Sequence, residues 1–203
     1  MTDFPSTPCA AFAGTRLIAR GPLADVALAA KAMDGPDGDP ILVFDEEAGE
    51  FIDLDLSGDT AEVMRRLTDR AEEGAAEEQR EGADAVRPKP GRGRPKLGVV
   101  AREVTLLPRH WQWLSAQPGG ASPALRRLVD QARHADGGET EARAGREAAY
   151  RFMAALAGDL PGFEEATRAL FARNPQRLVQ LTAHWPADVR AYAVHLAFGR
   201  NGN

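Results

Sequence analysis

The stretch VVAREVTLLPRHWQWLSAQPGGASPALRRLVDQARH, residues 99–134, carries the pattern that decides the architecture of the middle of the chain. Apolar residues alternate at its start, which predicts a short strand. Helical spacing follows from residue 108 or 109 to about 116, and the Pro-Gly-Gly sequence at 118–120 ends that helix. A second helix is expected to have Ser122 as its N-cap and Pro123 in its first position. Its buried face is expected to consist of Leu125, Leu128, Val129 and Ala132.

This order of strand, helix, turn and helix resembles the ribbon-helix-helix family of bacterial repressors and antitoxins, over residues 104–114 and 119–129. A lone short strand leaves its hydrogen-bonding edge open, so we expect a homodimer in which two strands pair antiparallel. Such a paired ribbon fits into the major groove of duplex DNA. The resemblance implies that Thr105 faces the DNA and that the start of the second helix, at Ser122, holds a phosphate.

Two features of this segment leave alternatives open. Glu103 lies on the same strand face as Thr105, where it could accept a hydrogen bond from a cytosine amino group or be neutralised by Arg102. The segment could also be an ordinary helical hairpin of a globular domain, because Trp111 and Trp113 are suitable core residues.

The preceding run VRPKPGRGRPK, residues 86–96, has no hydrophobic period and predicts an extended basic arm. Its centre, Arg92-Gly93-Arg94-Pro95, resembles the core of an AT-hook at every position. Two arginines joined by a glycine fit the narrow, negative minor groove of A·T pairs, while proline keeps the chain extended. The alternative is a solubilising linker. The flanking residues expected at phosphates are Lys89 and Lys96.

The charge of the chain is divided unevenly along its length. Residues 86–134 contain ten Lys or Arg residues and two acidic residues, which gives a net charge of +8. Because the whole chain has a net charge of −5, the remaining residues together carry −13. Such segregation indicates contact with nucleic acid or a membrane surface. Outside the minor groove, the phosphate contacts are expected to come from Lys89, Lys96, Arg102, Arg109 and Ser122.

The sequence contains no run of 18 consecutive apolar residues, and its start lacks the basic-then-apolar order of a signal peptide. We therefore expect a cytoplasmic, nucleoid-associated protein, either a transcriptional regulator or an architectural DNA-binding factor that prefers AT-rich duplexes.

The expected fold class is α+β, in four parts. Residues 1–68 predict a small α+β unit, residues 69–98 an acidic and then basic linker, residues 99–136 the ribbon-helix-helix segment, and residues 137–203 a helical bundle. The first unit should have strands at 10–19, 41–45 and 50–56 and a helix at 22–33. The bundle should have helices at 141–157, 162–172, 176–183 and 186–198.

No catalytic constellation is recognisable elsewhere, and we expect no enzyme activity, cofactor or metal. The single cysteine, Cys9, cannot form an internal disulfide, and the four histidines show no ligand spacing. The acidic residues Asp45, Asp53 and Asp55 leave a metal-dependent enzyme as one alternative. Another is an antitoxin-like module, in which the ribbon-helix-helix segment only dimerises and the N-terminal unit or C-terminal bundle binds a protein partner.

Four stretches along the chain resemble a bacterial family of domains of unknown function, family 2239, and this resemblance extends over the whole chain. They are the run FIDLDLSG at 51–58, the run at 91–127, and GDLPGFEEATRALF at 158–171 together with WPADVR at 185–190. The resemblance implies no particular activity.

Overall fold

The computed structural model describes residues 4–35, 38–83 and 103–199. The described residues form two compact units, one from Met1–Glu72 with Gly138–Asn203 and one from Glu73–Gly137. The first unit contains a sheet and helices, so the predicted α+β class is confirmed.

The sheet of the first unit has four antiparallel strands: β1 (Pro8–Ala13), β2 (Arg16–Pro22), β3 (Ile41–Asp45) and β4 (Phe51–Ile52). Their order is β2-β1-β3-β4. The single strand predicted at 10–19 is wrong, because Gly14 adopts a φ of 56° and turns the chain into a hairpin there.

Helices cover this sheet on both faces. They are α1 (Leu23–Met33), the long α2 (Thr60–Ala83), α5 (Glu139–Ala157), α6 (Phe163–Phe171), α7 (Pro175–Leu181) and α8 (Ala187–Phe198). The helix predicted at 22–33 and the four predicted C-terminal helices are confirmed to within two or three residues. A short 3₁₀ turn at Phe4–Ser6 precedes the sheet.

The central strand β1 is buried on both sides, which is why its sequence is small and apolar throughout. Cys9 and Ala11 face a core formed with α1 and the first turns of α2. Ala10 and Phe12 face a core formed with α5 and α8. The N-terminal and C-terminal parts of the chain thus share one core, although the sequence analysis treated residues 1–68 and 137–203 as separate parts.

Aromatic rings hold this shared core together. Phe152 of α5 lies 5.1 Å from both Phe12 and Phe44 and 4.7 Å from Tyr192, measured between ring centroids. Gly49, in the turn after β3, lies so close to the backbone carbonyl of Ala148 in α5 that a side chain at that position would collide with it. The sheet and α5 are therefore in direct contact at two places.

The second unit contains the two helices predicted there, α3 (Pro108–Ser115) and α4 (Ala121–Asp136). Gly119 and Gly120 have φ values of 83° and 82°, so the glycine turn between the helices is confirmed. Ser122 is not the N-cap: α4 begins at Ala121, two residues earlier than predicted, so Gly120 takes the capping position, and no side chain caps the helix.

Two other predictions for this unit were a short strand, paired with that of a second copy, and a buried face of α4. Residues 103–107 form no strand, because a strand is defined by pairing and no neighbouring strand lies beside them among the described residues. The predicted buried face of α4 is mostly exposed, and its residues Leu128 and Val129 face outward. The only fully buried residue of the helix is Ala124, which was not part of the predicted face.

Candidate nucleic-acid interface

Seven of the residues predicted to bind DNA lie outside the described residues. These are Lys89, Arg92, Gly93, Arg94, Pro95, Lys96 and Arg102. The other three, Thr105, Arg109 and Ser122, lie in the part of the second unit that comes after the basic arm in sequence.

Thr105 is exposed and lies in the irregular segment that leads into α3. Its neighbours Val104 and Leu107 are also about half exposed. Leu107 has extended backbone angles, and Pro108 fixes the first turn of α3 behind it. The segment is therefore available for contact with another molecule along several residues.

Arg109 and Ser122 both occupy the second position of a helix, in α3 and α4 respectively, and both are exposed. The Arg126 guanidinium donates a hydrogen bond from Nη2 to the Ser122 hydroxyl over 3.2 Å. Ser122 thus has a cation beside it, one helical turn along, in place of the capping role that the sequence predicted.

The arginines of α3 and α4 have no ion-pair partner among the described residues, unlike most arginines of the first unit. Every ion pair found among the described residues lies in the first unit, for example those between Arg20 and Glu46 and between Arg146 and Glu139. None involves the four arginines of α3 and α4, which are all exposed. These are Arg109, Arg126, Arg127 and Arg133. Because no carboxylate neutralises them in the described part of the chain, their charge is available to an external anion.

The polar and apolar faces of α4 are clearly separated. Leu125, Leu128, Val129 and Ala132 form a stripe at helical spacing, here called the α4 stripe, and only Leu125 is even half-buried. The described lining of a shallow depression on the polar side comes from α4 alone and includes Arg126, Arg127 and His134. A depression that open does not enclose a small ligand, so this face fits a large, charged partner better.

The acidic residues Asp45 and Asp55 of the first unit form hydrogen bonds and an ion pair with other residues of that unit. Asp45 Oδ1 accepts from the backbone N–H groups of Glu47 and Ala48. Asp55 accepts from the N–H of Ser57 over 2.9 Å and pairs with Arg66 over 3.4 Å. Hydrogen bonds from the Ser57 hydroxyl, and next from its backbone N–H, lower the pKa of Asp55. Within the described ranges, no group of three or more His, Cys, Asp or Glu side chains could hold a metal ion.

The burial of two polar groups in the first unit was not predictable from the sequence. Cys9 is fully buried, and desolvation raises the pKa of its thiol to about 12, so the thiol is unreactive near neutral pH. The hydroxyl of Tyr192 is buried and has no hydrogen-bond partner among the described residues. Burial also raises the pKa of Tyr192. Neither residue carries a sequence signal, because only tertiary packing buries it.

Arg126, Arg127 and Arg133 were counted in the basic segment but were not predicted as contacts. Their position opposite or beside the α4 stripe follows from helical spacing and could have identified them. In the described part of the chain, no helix has the length and apolar character needed to cross a membrane.

Comparison with known proteins identifies a family for nearly the whole chain. The family model described as "Uncharacterized protein conserved in bacteria (DUF2239)" matches residues 8–197. No curated protein and no solved structure matches the chain.

Proposed function

We propose that this protein, which belongs to the bacterial DUF2239 family, binds duplex DNA through residues 86–134. The observation that supports this most directly is the set of exposed arginines on α3 and α4. They have no carboxylate partner among the described residues and continue the basic run that ends just before them. An uncompensated basic surface of this kind attracts the phosphates of a nucleic acid.

Each part of the segment has a role in this proposal. Arg92 and Arg94 enter the minor groove of AT-rich DNA, with Gly93 and Pro95 shaping the chain between them. In a homodimer, two copies of the segment around Thr105 pair as strands in the major groove. Phosphates are held by Lys89, Lys96, Arg102, Arg109 and Ser122. The protein acts as a transcriptional regulator or a nucleoid-associated factor in the cytoplasm.

Fluorescence anisotropy on AT-rich and GC-rich duplexes, titrated with salt, tests the proposal. If roughly six to eight phosphates are contacted per dimer, affinity falls by about three orders of magnitude between low and physiological salt. Arg92→Ala/Arg94→Ala should abolish the preference for AT-rich DNA. The matched control is Arg143→Ala/Arg168→Ala, which removes two exposed arginines from α5 and α6 and should leave binding unchanged. An absence of binding even at low salt would refute the proposal.

Exposed tryptophans in the second unit support the dimerisation that one alternative assigns to this segment. Trp111 and Trp113 are exposed by 40% and 51%, and aromatic residues exposed to this extent are typical of protein interfaces. In the antitoxin-like alternative, the central segment only dimerises and a protein partner binds the N-terminal unit or the C-terminal helices. A protein that binds no duplex, but co-purifies with a stoichiometric partner, would favour this function.

A further inference from the structure

The outer edge of the sheet in the first unit lies along β4 and its continuation, residues 51–56, here called the edge segment. Exposed and half-buried side chains alternate along it, as they do in a strand. The Asp45 N–H of β3 donates to the Glu50 carbonyl over 2.9 Å. Backbone groups alternate in direction along such a run, so those of the even-numbered residues are directed towards β3 and those of Asp53 and Asp55 away from it. A further strand would therefore pair with the backbone of Asp53 and Asp55.

Two arginines of α2 occupy the carbonyls of this edge. Arg66 donates from Nη2 to the Asp55 carbonyl over 2.8 Å, and Arg70 donates from Nη1 to the Asp53 carbonyl over 3.2 Å. Arg66 also donates to the Ser57 carbonyl. Four residues of a helix rise about 6 Å and two residues of a strand about 6.7 Å, so guanidinium groups four residues apart match alternate carbonyls. α2 thus supplies the donors that a fifth strand would otherwise supply.

The opposite edge of the sheet, along β2, is also closed by a helix. The Leu17 N–H donates to Asp188 Oδ2 at the start of α8 over 2.9 Å, so it is not available to another strand. β2 ends at Pro22, which has no N–H to donate to a neighbouring strand. Side chains of α2 and α8 therefore occupy backbone groups at both edges of the sheet, where an open edge would pair with another chain.

We propose that Arg66 and Arg70 keep the edge segment from pairing with the same segment of a second copy of this chain. An antiparallel contact between two edge segments needs the Asp53 and Asp55 carbonyls as acceptors, and the guanidinium groups occupy them. The side chains of Asp53 and Asp55 oppose the same contact, because they are exposed and share one face of the segment. Pairing would place these carboxylates opposite or diagonal to their counterparts, where like charges repel. The first unit thus carries a strand-pairing edge that α2 holds closed.

Removal of both barriers should open the edge. Asp53→Asn/Asp55→Asn removes the carboxylates but leaves the arginines in place, so this variant should keep the assembly state of the wild type in sedimentation velocity. Addition of Arg66→Ala/Arg70→Ala should raise the mass of the assembly at least twofold at the same concentration. It should also slow hydrogen exchange of the backbone amides at positions 53 and 55 by about tenfold, because each gains a hydrogen bond to the second copy.

Two further variants separate strand pairing from other causes of association. Arg65→Ala/Arg143→Ala removes two exposed arginines of α2 and α5 in the same Asn background, as the control for charge, and should add no association. Asp53→Pro in place of Asp53→Asn removes an N–H that the second strand needs, at an edge position that tolerates proline. The association caused by Arg66→Ala/Arg70→Ala should then be lost.

Labelling of the buried Cys9 monitors the fold of each variant, because Cys9 lies in the core that α2 covers. If the thiol reacts in the alanine variant, Arg66→Met/Arg70→Met replaces it and is held to the same expectations, since methionine keeps an apolar stem and removes the donors. An assembly state equal to that of the wild type, with unchanged exchange at positions 53 and 55, would overturn the proposal. Association that persists with proline at position 53, or that the control for charge shows equally, would overturn it too. None of these measurements involves DNA.

Discussion

Replacing Phe152 by alanine should strongly destabilise the first unit. Phe152 is fully buried and contacts two sheet aromatics and Tyr192 of α8 at once. A buried Phe→Ala substitution costs about 3–5 kcal/mol, and three ring contacts favour the upper part of that range. Since a typical domain has only about 5–15 kcal/mol of total stability, the variant should lose at least about a third of its free energy of unfolding. Phe171→Ala is the matched control, because that ring is 49% exposed and should contribute no more than about 1.5 kcal/mol.

Urea unfolding with two probes measures this effect and tests the shared core. In a Trp111→Phe/Trp113→Phe background, the fluorescence of the remaining Trp185 reports on the C-terminal helices. Pulsed labelling of the Cys9 thiol reports on β1. Both transitions should coincide in the wild type and move together to lower urea in Phe152→Ala. If the Cys9 transition stays in place while the Trp185 transition shifts, the N-terminal and C-terminal parts are independent and the reasoning fails.

Three other substitutions or conditions test separate parts of the structure. Tyr192→Phe should raise the free energy of unfolding by about 1 kcal/mol, because it removes a buried hydroxyl without a partner; a loss of stability in thermal melts would show that the hydroxyl is hydrogen-bonded. The raised pKa of Cys9 means that the folded state favours the protonated thiol, so stability should be intact below pH 9 and decline as the pH rises towards 12. Urea unfolding at these pH values should show a smaller decline in Cys9→Ala, and an equal decline would assign the effect to other groups. Arg126→Ala/Arg133→Ala should weaken DNA binding and reduce the magnitude of its salt slope by about two per subunit, without changing the AT preference. An unchanged salt slope in the anisotropy assay would show that this flank of α4 does not contact phosphates.

Local signals in the sequence identified much of the architecture. Proline and glycine positions marked the ends of the four C-terminal helices, and the glycine pair at 119–120 marked the turn between α3 and α4. These signals are reliable because they reflect backbone restrictions of single residues. The basic segment was equally evident from composition, and its binding to DNA stays a prediction.

The candidate interface was predictable only in part. Arg109 and Ser122 were selected from their places at helix starts, but the capping role of Ser122 was wrong because Gly120 begins the helix instead. The amphipathic pattern of α4 correctly predicted a continuous apolar stripe. It could not indicate that the stripe would face outward, since a periodic pattern shows which face is apolar and not what covers it.

The sequence by itself determined most helix ends, where charge accumulates and which face of α4 is apolar, because each of these depends on residues close together in the chain. It did not indicate that α2 continues to Ala83, into the stretch predicted as a linker. Only the tertiary structure decided that β1 is central, that Phe12 and Phe44 pack on Phe152, and that the two ends of the chain form one unit. β1 is covered on both faces, so its sequence lacks the alternation that would have indicated its partners. Contacts between residues more than a hundred positions apart leave no local pattern, and packing alone selects them.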